Sequence, residues 1–147
     1  MEPEILIDAQ SGAIMIGEAH QLGGGAGIEE TAAALGAFVR LRHDLGNGYE
    51  WLYLHGLRFG EHPAHLSLCF QRGRLDMANF SISLPGAGPD WPTGAEIDAE
   101  IVFVREVLAS MIGFDPAERS KVFPWGSVWS DYDPKAGIAS NGLRYTL

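Results

Sequence analysis

Alternating apolar and polar positions dominate the middle of the chain. In Tyr49–Leu54 the aromatic residues fall on one face and the leucines on the other, as they do on a β-strand. The segments Phe38–Asp44, Ala64–Phe70 and Leu75–Leu84 repeat this period of two. Short turns such as Gly46-Asn47-Gly48 join them, and a parallel pair would need a long crossover instead. The pattern therefore predicts an antiparallel meander.

Helical spacing replaces the alternation after the Pro- and Gly-rich stretch 85–92. Thr93 and Glu96 have the spacing of a capping box, and Gly113 is a natural stop. Between them an apolar stripe recurs at spacings of four and three, formed by Ile97, Ile101, Val104, Leu108 and Met111. This stripe predicts a long helix at about residues 94–112 that packs on the sheet.

The two ends of the chain complete the predicted architecture. Ile5–Ile7 and Ala13–Gly17 are short strand candidates, and the apolar spacing of 28–36 predicts a short helix. An extended segment at 122–130 and a last strand at 138–147 follow the long helix. We therefore predict an α+β fold, one domain over residues 1–147, with a mainly antiparallel meander sheet and both helices packed on it.

Charge and composition limit the classes of partner. The 147 residues are 46% hydrophobic and carry a net charge of −9, with an isoelectric point near 4.8. A nucleic-acid-binding protein needs a basic face, so nucleic acid is not the expected partner. Acidic charge favours solubility, or fast association with a basic protein. No apolar run is long enough for a membrane span and the N-terminus is acidic, so we expect a cytoplasmic protein.

No catalytic or cofactor motif stands out. The glycine cluster 23–27 precedes a helix, but no lysine follows it, and Glu29 and Glu30 would repel a phosphate. Cys69 is the one cysteine, so no internal disulfide can form. It lies between Leu68 and Phe70, where a buried, inert thiol is expected. We predict no cofactor.

Three histidines raise the question of a metal site. His55, His62 and His65 lie within eleven residues, and Glu61 could add an oxygen ligand. Their spacing matches no standard zinc pattern, and there is no cysteine pair. The alternative is that they are ordinary polar residues of a loop between two strands.

An aromatic and acidic cluster near the C-terminus is the candidate partner-binding site. Its residues are Trp125, Trp129, Asp131, Tyr132 and Asp133. Large rings beside carboxylates are typical of binding anchors, and an extended segment would place both tryptophans on one face. Two alternatives stay open: the rings cover the edge of the core, or the two aspartates belong to a hairpin loop that continues into Pro134.

Two groups of motifs resemble known families. Ala34-Leu35-Gly36, followed by Tyr49-Glu50-Trp51 and Gly73-Arg74-Leu75, is similar to the helix-then-sheet unit of β-lactamase-inhibitor-like small bacterial domains. Trp125-Gly126, Ser130-x-Tyr132-Asp133-x-Lys135 and Leu143-Arg144-Tyr145 resemble the C-terminal end of small bacterial proteins, some of which are immunity-type partners of secreted toxins. Secreted inhibitors of the β-lactamase-inhibitor kind typically contain disulfides, which this chain cannot form internally.

These observations lead to one hypothesis and two alternatives. The hypothesis is a non-enzymatic protein-binding domain, in its most specific form a cytoplasmic immunity protein that neutralises a basic toxin. The first alternative is a small-ligand binder or enzyme with a pocket between helix and sheet and polar groups such as His62, His65 or Asp131. The second is a subunit that associates with itself, for example as a homodimer.

Overall fold

The computed structural model describes residues 1–88 and 90–146. Pro89, in the predicted loop, and Leu147, at the end of the predicted last strand, lie outside the described residues. The elements of the described residues are, in chain order, β1 (Ile5–Ile7), β2 (Ile14–Ile16), β3 (His20–Leu22), α1 (Ile28–Ala34), β4 (Val39–Asp44), β5 (Tyr49–Phe59), β6 (His62–Gln71), β7 (Arg74–Ile82), α2 (Gly94–Ile112), β8 (Ser120–Phe123), β9 (Gly126–Asp133) and β10 (Ile138–Tyr145).

The strands form two antiparallel sheets. The large sheet has the order β4-β5-β6-β7-β10-β9-β8, and β1, β2 and β3 form a small one. The chain therefore builds one meander from β4 to β7 and a second from β8 to β10. The two meet where β10 pairs with β7, so that Gly142 lies opposite Asn79. The α+β class and the antiparallel arrangement agree with the prediction.

Helix α2 covers one face of the large sheet and contacts β9, β10 and β1. Its N-terminus has the predicted capping box between Thr93 and Glu96, and its C-cap Gly113 takes a left-handed conformation (φ 72°). Four residues of the predicted stripe are buried, but Ile112 takes the place of Met111 at the last position. Met111 instead lies beside β1, where its Sδ accepts a hydrogen bond from the Ile7 N–H at 3.3 Å.

The β5–β6 hairpin is longer than the sequence predicted. The segment 55–65, expected to be a loop, belongs to two strands joined by a turn at Gly60 and Glu61. The pairing of β5 with β6 is irregular between Leu54 and Leu57, and Gly56 within this bulge has a φ of +74°. Glycine tolerates such backbone, so here it marks a bulge inside a strand and not the end of the strand.

The remaining differences concern the ends of elements. Helix α1 ends at Ala34, with Leu35 as its C-cap, where residue 36 was expected. Strand β3 was missed because His20–Leu22 is too short to show alternation. Strand β9 runs through Asp133, so the loop interpretation of residues 131–133 was wrong. The strand continues because β10 pairs with it as far as Ile138 opposite Asp133. Within residues 1–88 and 90–146, neither helix combines the length and the apolar character that a membrane crossing requires.

Candidate partner-binding surface

In residues 1–88 and 90–146, no helix covers the second face of the large sheet. Strand residues alternate between faces, and the core-facing set includes Leu52, Leu68 and Val128, all fully buried beneath α2 and the small sheet. The opposite set forms what we call the open face. Its members, related by cross-strand pairing, include Leu41, His43, Trp51, Tyr53, His65, Ser67, Cys69, Met77, Asn79, Ser81, Val122, Ser127, Trp129, Asp131, Asp133, Ser140 and Arg144.

The open face is rich in rings and exposed apolar side chains. Trp51 and Tyr53 stack with their ring centroids 6.0 Å apart and an interplanar angle of 10°. Leu41 is 54% exposed and Val122, on the opposite edge strand, is 81% exposed. Trp, Tyr and Arg are the residue types that contribute most to protein–protein binding energy. The face therefore has the composition of a protein-binding surface.

The ring of Trp129 lies on this face, over Gly142 of the neighbouring strand β10. Its Nε1 donates a hydrogen bond to Ser140 Oγ at 2.9 Å. A Cβ placed on Gly142 would lie 2.7 Å from the ring carbon Cζ2 of Trp129 and 2.5 Å from Oδ1 of Asn79. The ring can occupy this position because Gly142 has no side chain.

Asn79, beside Trp129, has an unusual environment. Its Oδ1 is buried and has no hydrogen-bond partner among the described residues. A buried acceptor without a donor costs free energy, about 1–3 kcal/mol in typical cases. Asn79 also lines a cavity of about 200 Å³ between β6, β7 and β10. The centre of the open face thus contains an unmatched acceptor next to a ring.

The two aspartates of the predicted site lie on the same face, but their carboxylates are engaged. Asp131 faces two arginines, with Oδ1 3.6 Å from Nη2 of Arg105 and Oδ2 3.8 Å from Nε of Arg119. Asp133 Oδ1 accepts hydrogen bonds from the backbone N–H groups of Lys135 (3.0 Å) and Ala136 (3.3 Å). Asp131 therefore contributes little net negative charge, and Asp133 holds the β9–β10 turn.

Trp125 and Tyr132 are not on the open face with Trp129. The extended segment expected at 122–130 is interrupted by a turn between β8 and β9, which changes the alternation. Trp125 packs against Phe123 and Tyr145, with centroids 4.9 and 5.9 Å apart, and its Nε1 donates to the Ala9 carbonyl at 2.9 Å. Tyr132 points to the other side of β9 and is 48% exposed. The structure therefore brings together Trp129, Asp131 and Asp133 only.

The three histidines are placed on strands and are not gathered into a ligand set. His62 packs its ring against Phe103 of α2 at 4.8 Å, while His65 lies on the open face. In the part of the chain that the structure describes, no group of three or more His, Cys, Asp and Glu side chains is placed to hold a metal ion. Cys69 is 3% exposed, and burial raises the pKa of its thiol, with a smaller contribution from Asp76.

Sequence reasoning missed the other half of the surface. A cavity of about 350 Å³ opens between β4, β5 and β6 and is lined by Arg40, Leu41, His43, Tyr53, Leu54, His65 and Ser67. The alternation of Tyr49, Trp51 and Tyr53 was recognised, but it was assigned only to strand formation. The available signal was the alternation itself, which collects Tyr49, Trp51 and Tyr53 on one side of the strand.

Comparison with known proteins supports the fold. No model of a known protein family matches the chain, and neither does any curated protein. Among solved structures, the chain is similar to a chain of "Rhs1-CT in complex with cognate immunity protein RhsI1", with a TM-score of 0.57 and 14% sequence identity. The alignment covers 96% of this chain and 86% of that chain. At this identity the likeness shows a shared fold.

Proposed function

We propose that this protein is an immunity-type protein that binds a bacterial toxin domain and neutralises it. The observation that carries the proposal is the fold likeness over 96% of the chain to a structure that contains a toxin fragment and its cognate immunity protein. Within this proposal the 147 residues act as one binding domain in the cytoplasm, and no cofactor takes part.

The open face is the contact surface in this proposal. It presents Trp51, Tyr53 and Trp129 on a rigid sheet, with exposed apolar side chains such as Val122 at its margin. Rings held on a sheet lose little conformational freedom on binding, which favours affinity. A ring-rich centre with few free carboxylates is typical of the core of a protein interface.

Net charge favours a basic toxin as the partner. The chain has a net charge of −9, and opposite net charges speed association at low ionic strength. This attraction acts over about 10 Å at 0.1 M salt, so it depends on the summed charge of each molecule. It is compatible with local contacts of either sign inside the interface.

The first experiment identifies the partner and tests neutralisation. A tagged form of the protein is used to capture its partner from the native cell at low and high salt. The captured protein is then identified, and it is expressed in a host cell with and without this chain. We expect a 1:1 complex and restored growth. Recovery of the tagged protein alone, or a captured protein whose toxicity is unaffected, would refute the proposal.

A matched pair of variants tests the surface. Val122→Glu adds a charge to the open face, whereas Val102→Glu adds the same charge on the solvent side of α2, where Val102 is 56% exposed. We expect Val122→Glu to weaken the complex at least about tenfold, because a charge within an apolar interface must be desolvated. Val102→Glu should bind like the wild type. Equal affinities of the two variants would place the contact elsewhere.

A further inference from the structure

One cavity of the open face differs in charge from the rest of the molecule. It is the 350 Å³ cavity between β4, β5 and β6. Among the described residues, no aspartate or glutamate lines it, although the chain contains 19 acidic residues. Its polar lining consists of Arg40, His43, His65, Tyr53 and Ser67, each of which can donate a hydrogen bond. The cavity therefore favours an anionic group.

A β-bulge directs Arg40 to this cavity. Val39 lies opposite Leu54 and Leu41 lies opposite Tyr53, so Arg40 is the extra residue between two pairs. A bulge turns the side chain of the extra residue and lets two consecutive residues reach one face. This explains why both Arg40 and Leu41 line the cavity, where regular alternation would separate them.

Arg40 differs from the next arginine of the same strand. Arg42 donates to both carboxylate oxygens of Glu29, at 3.0 and 2.8 Å, and also bonds Glu50. These glutamates raise the pKa of Arg42, and their charges neutralise it. Across residues 1–88 and 90–146, no carboxylate lies within 4.0 Å of the Arg40 guanidinium. Its charge remains available to a ligand.

The walls of the cavity suit the acidic side chain of a protein. Leu41 and the Tyr53 ring supply apolar contacts for a methylene stem, and the stack on Trp51 holds Tyr53 in place. The cavity is open to solvent on one side, so a free small molecule would remain largely exposed in it. A side chain delivered by a docked protein would be covered, because the surrounding open face would be buried at the same time.

We propose that this cavity receives an aspartate or glutamate side chain of the protein partner, with Arg40 as its ion-pair donor and Tyr53 as the apolar wall. The inference rests on the proposed function, since it names a contact of the same surface. A charged pair in a desolvated interface fixes the orientation of the partner, and truncating one member mainly raises the dissociation rate.

The first test uses a probe and needs no protein partner. Propionate carries the carboxylate and stem of a glutamate side chain, and propionamide is its uncharged counterpart. Titration of the isotopically labelled protein, followed by NMR, should shift the signals of residues 40, 41, 43, 53 and 65 with propionate but not with propionamide. Arg40→Gln should weaken propionate binding about three- to fivefold, in the range of an exposed ion pair.

The matched control is Arg144→Gln. Arg144 lies on the same face outside the cavity, and its Nη2 contacts only the sulfur of Met77, at 3.3 Å, among its side-chain hydrogen bonds in the described residues. It should bind propionate like the wild type. The inference is overturned if propionate and propionamide shift the same signals, or if the two arginine variants weaken propionate binding equally.

The second test uses the partner captured as described above. Arg40→Gln should raise the dissociation rate of the complex about tenfold or more. Arg72→Gln, at an exposed arginine of the β6–β7 turn outside the open face, removes the same charge and should leave the rate unchanged. A wild-type protein that binds no partner refutes the proposed function. A wild-type complex that is indifferent to Arg40→Gln refutes the cavity contact and leaves the proposed function standing, so the two failures are distinguishable.

Discussion

Gly142 is the position at which the structure makes its sharpest stability prediction. A Cβ added there would lie 2.5 Å from the carbonyl oxygen of Ala78, 2.5 Å from Oδ1 of Asn79 and 2.7 Å from Cζ2 of Trp129. Ordinary van der Waals contact begins at 3.4 Å, so the oxygen of Ala78 is about 0.9 Å too close. This oxygen belongs to the backbone of a central strand, which cannot move aside as a flexible side chain can.

We expect Gly142→Ala to lower the free energy of unfolding by about 3 kcal/mol, at the upper end of the usual cost of overpacking. For a domain of this size, that loss corresponds to a decrease in Tm of about 6–12 °C. Urea unfolding followed by tryptophan fluorescence measures the change directly. The indole of Trp129 must shift with the substitution, so the emission of the folded variant should also differ from that of the wild type.

Gly94→Ala is the matched control, because a Cβ on Gly94 meets no atom within 4 Å. Gly94 is the first residue of α2, and alanine in a helix is more favourable than glycine by up to about 1 kcal/mol. This variant should be slightly more stable than the wild type. A Gly142→Ala variant within about 0.5 kcal/mol of the wild type would refute the steric argument. Full rescue by a smaller ring at position 129 would refute the role of the Ala78 carbonyl.

Three further predictions concern the packing of α2 on the sheet. Burial raises the pKa of Glu100, so the folded state binds its proton more tightly than the unfolded chain. The free energy of unfolding should therefore fall as pH rises from the ordinary carboxyl value of 4.5 through the folded pKa, and urea titrations should show a flatter pH dependence for Glu100→Gln. Ser130 Oγ donates a hydrogen bond to Asn141 Oδ1 at 2.8 Å, so Ser130→Ala should lower the free energy of unfolding by about 1–3 kcal/mol because it leaves a buried acceptor unpaired. A loss below about 0.5 kcal/mol in the same assay would contradict this. Leu108 is fully buried, and Leu108→Ala should lower the free energy of unfolding by about 2–5 kcal/mol. Val102→Ala, on the exposed side of the helix, should change it by less than about 0.5 kcal/mol, and equal losses would disprove the assigned orientation of α2.

The elements of this protein were largely predictable because their signals are local. The capping box at Thr93 and the stop at Gly113 depend on residues within one or two helical turns, and they bound α2 correctly. The alternation of Tyr49–Leu54 separated an aromatic face from a leucine face, and in the structure Leu52 and Leu54 are buried in the core. Where an element was misjudged, as with the predicted loop at 55–65, one glycine supported two local interpretations, a strand end or a bulge, and only the pairing of β5 with β6 distinguishes them.

The candidate surface was predictable only in part. The sequence placed Trp125 on the face of Trp129 and left a hairpin loop open for the two aspartates. In the structure β9 brings Trp129, Asp131 and Asp133 to one face, and the turn before β9 moves Trp125 to the edge of the core. The roles of the aspartates were also hidden, since the arginines that face Asp131 come from α2 and from the segment before β8. Whether a partner uses this surface stays a prediction that the matched variants test.

By itself the sequence determined where most strands and helices lie and which side of each is apolar, because these depend on short spacings. It also determined the acidic net charge and the absence of an internal disulfide, because these depend on residue types alone. Only the tertiary structure decided that β10 pairs with β7, that Gly142 makes room for Trp129, and that a bulge directs Arg40 to the open face. These features depend on contacts between residues far apart in the chain, and many strand orders are compatible with the same local pattern.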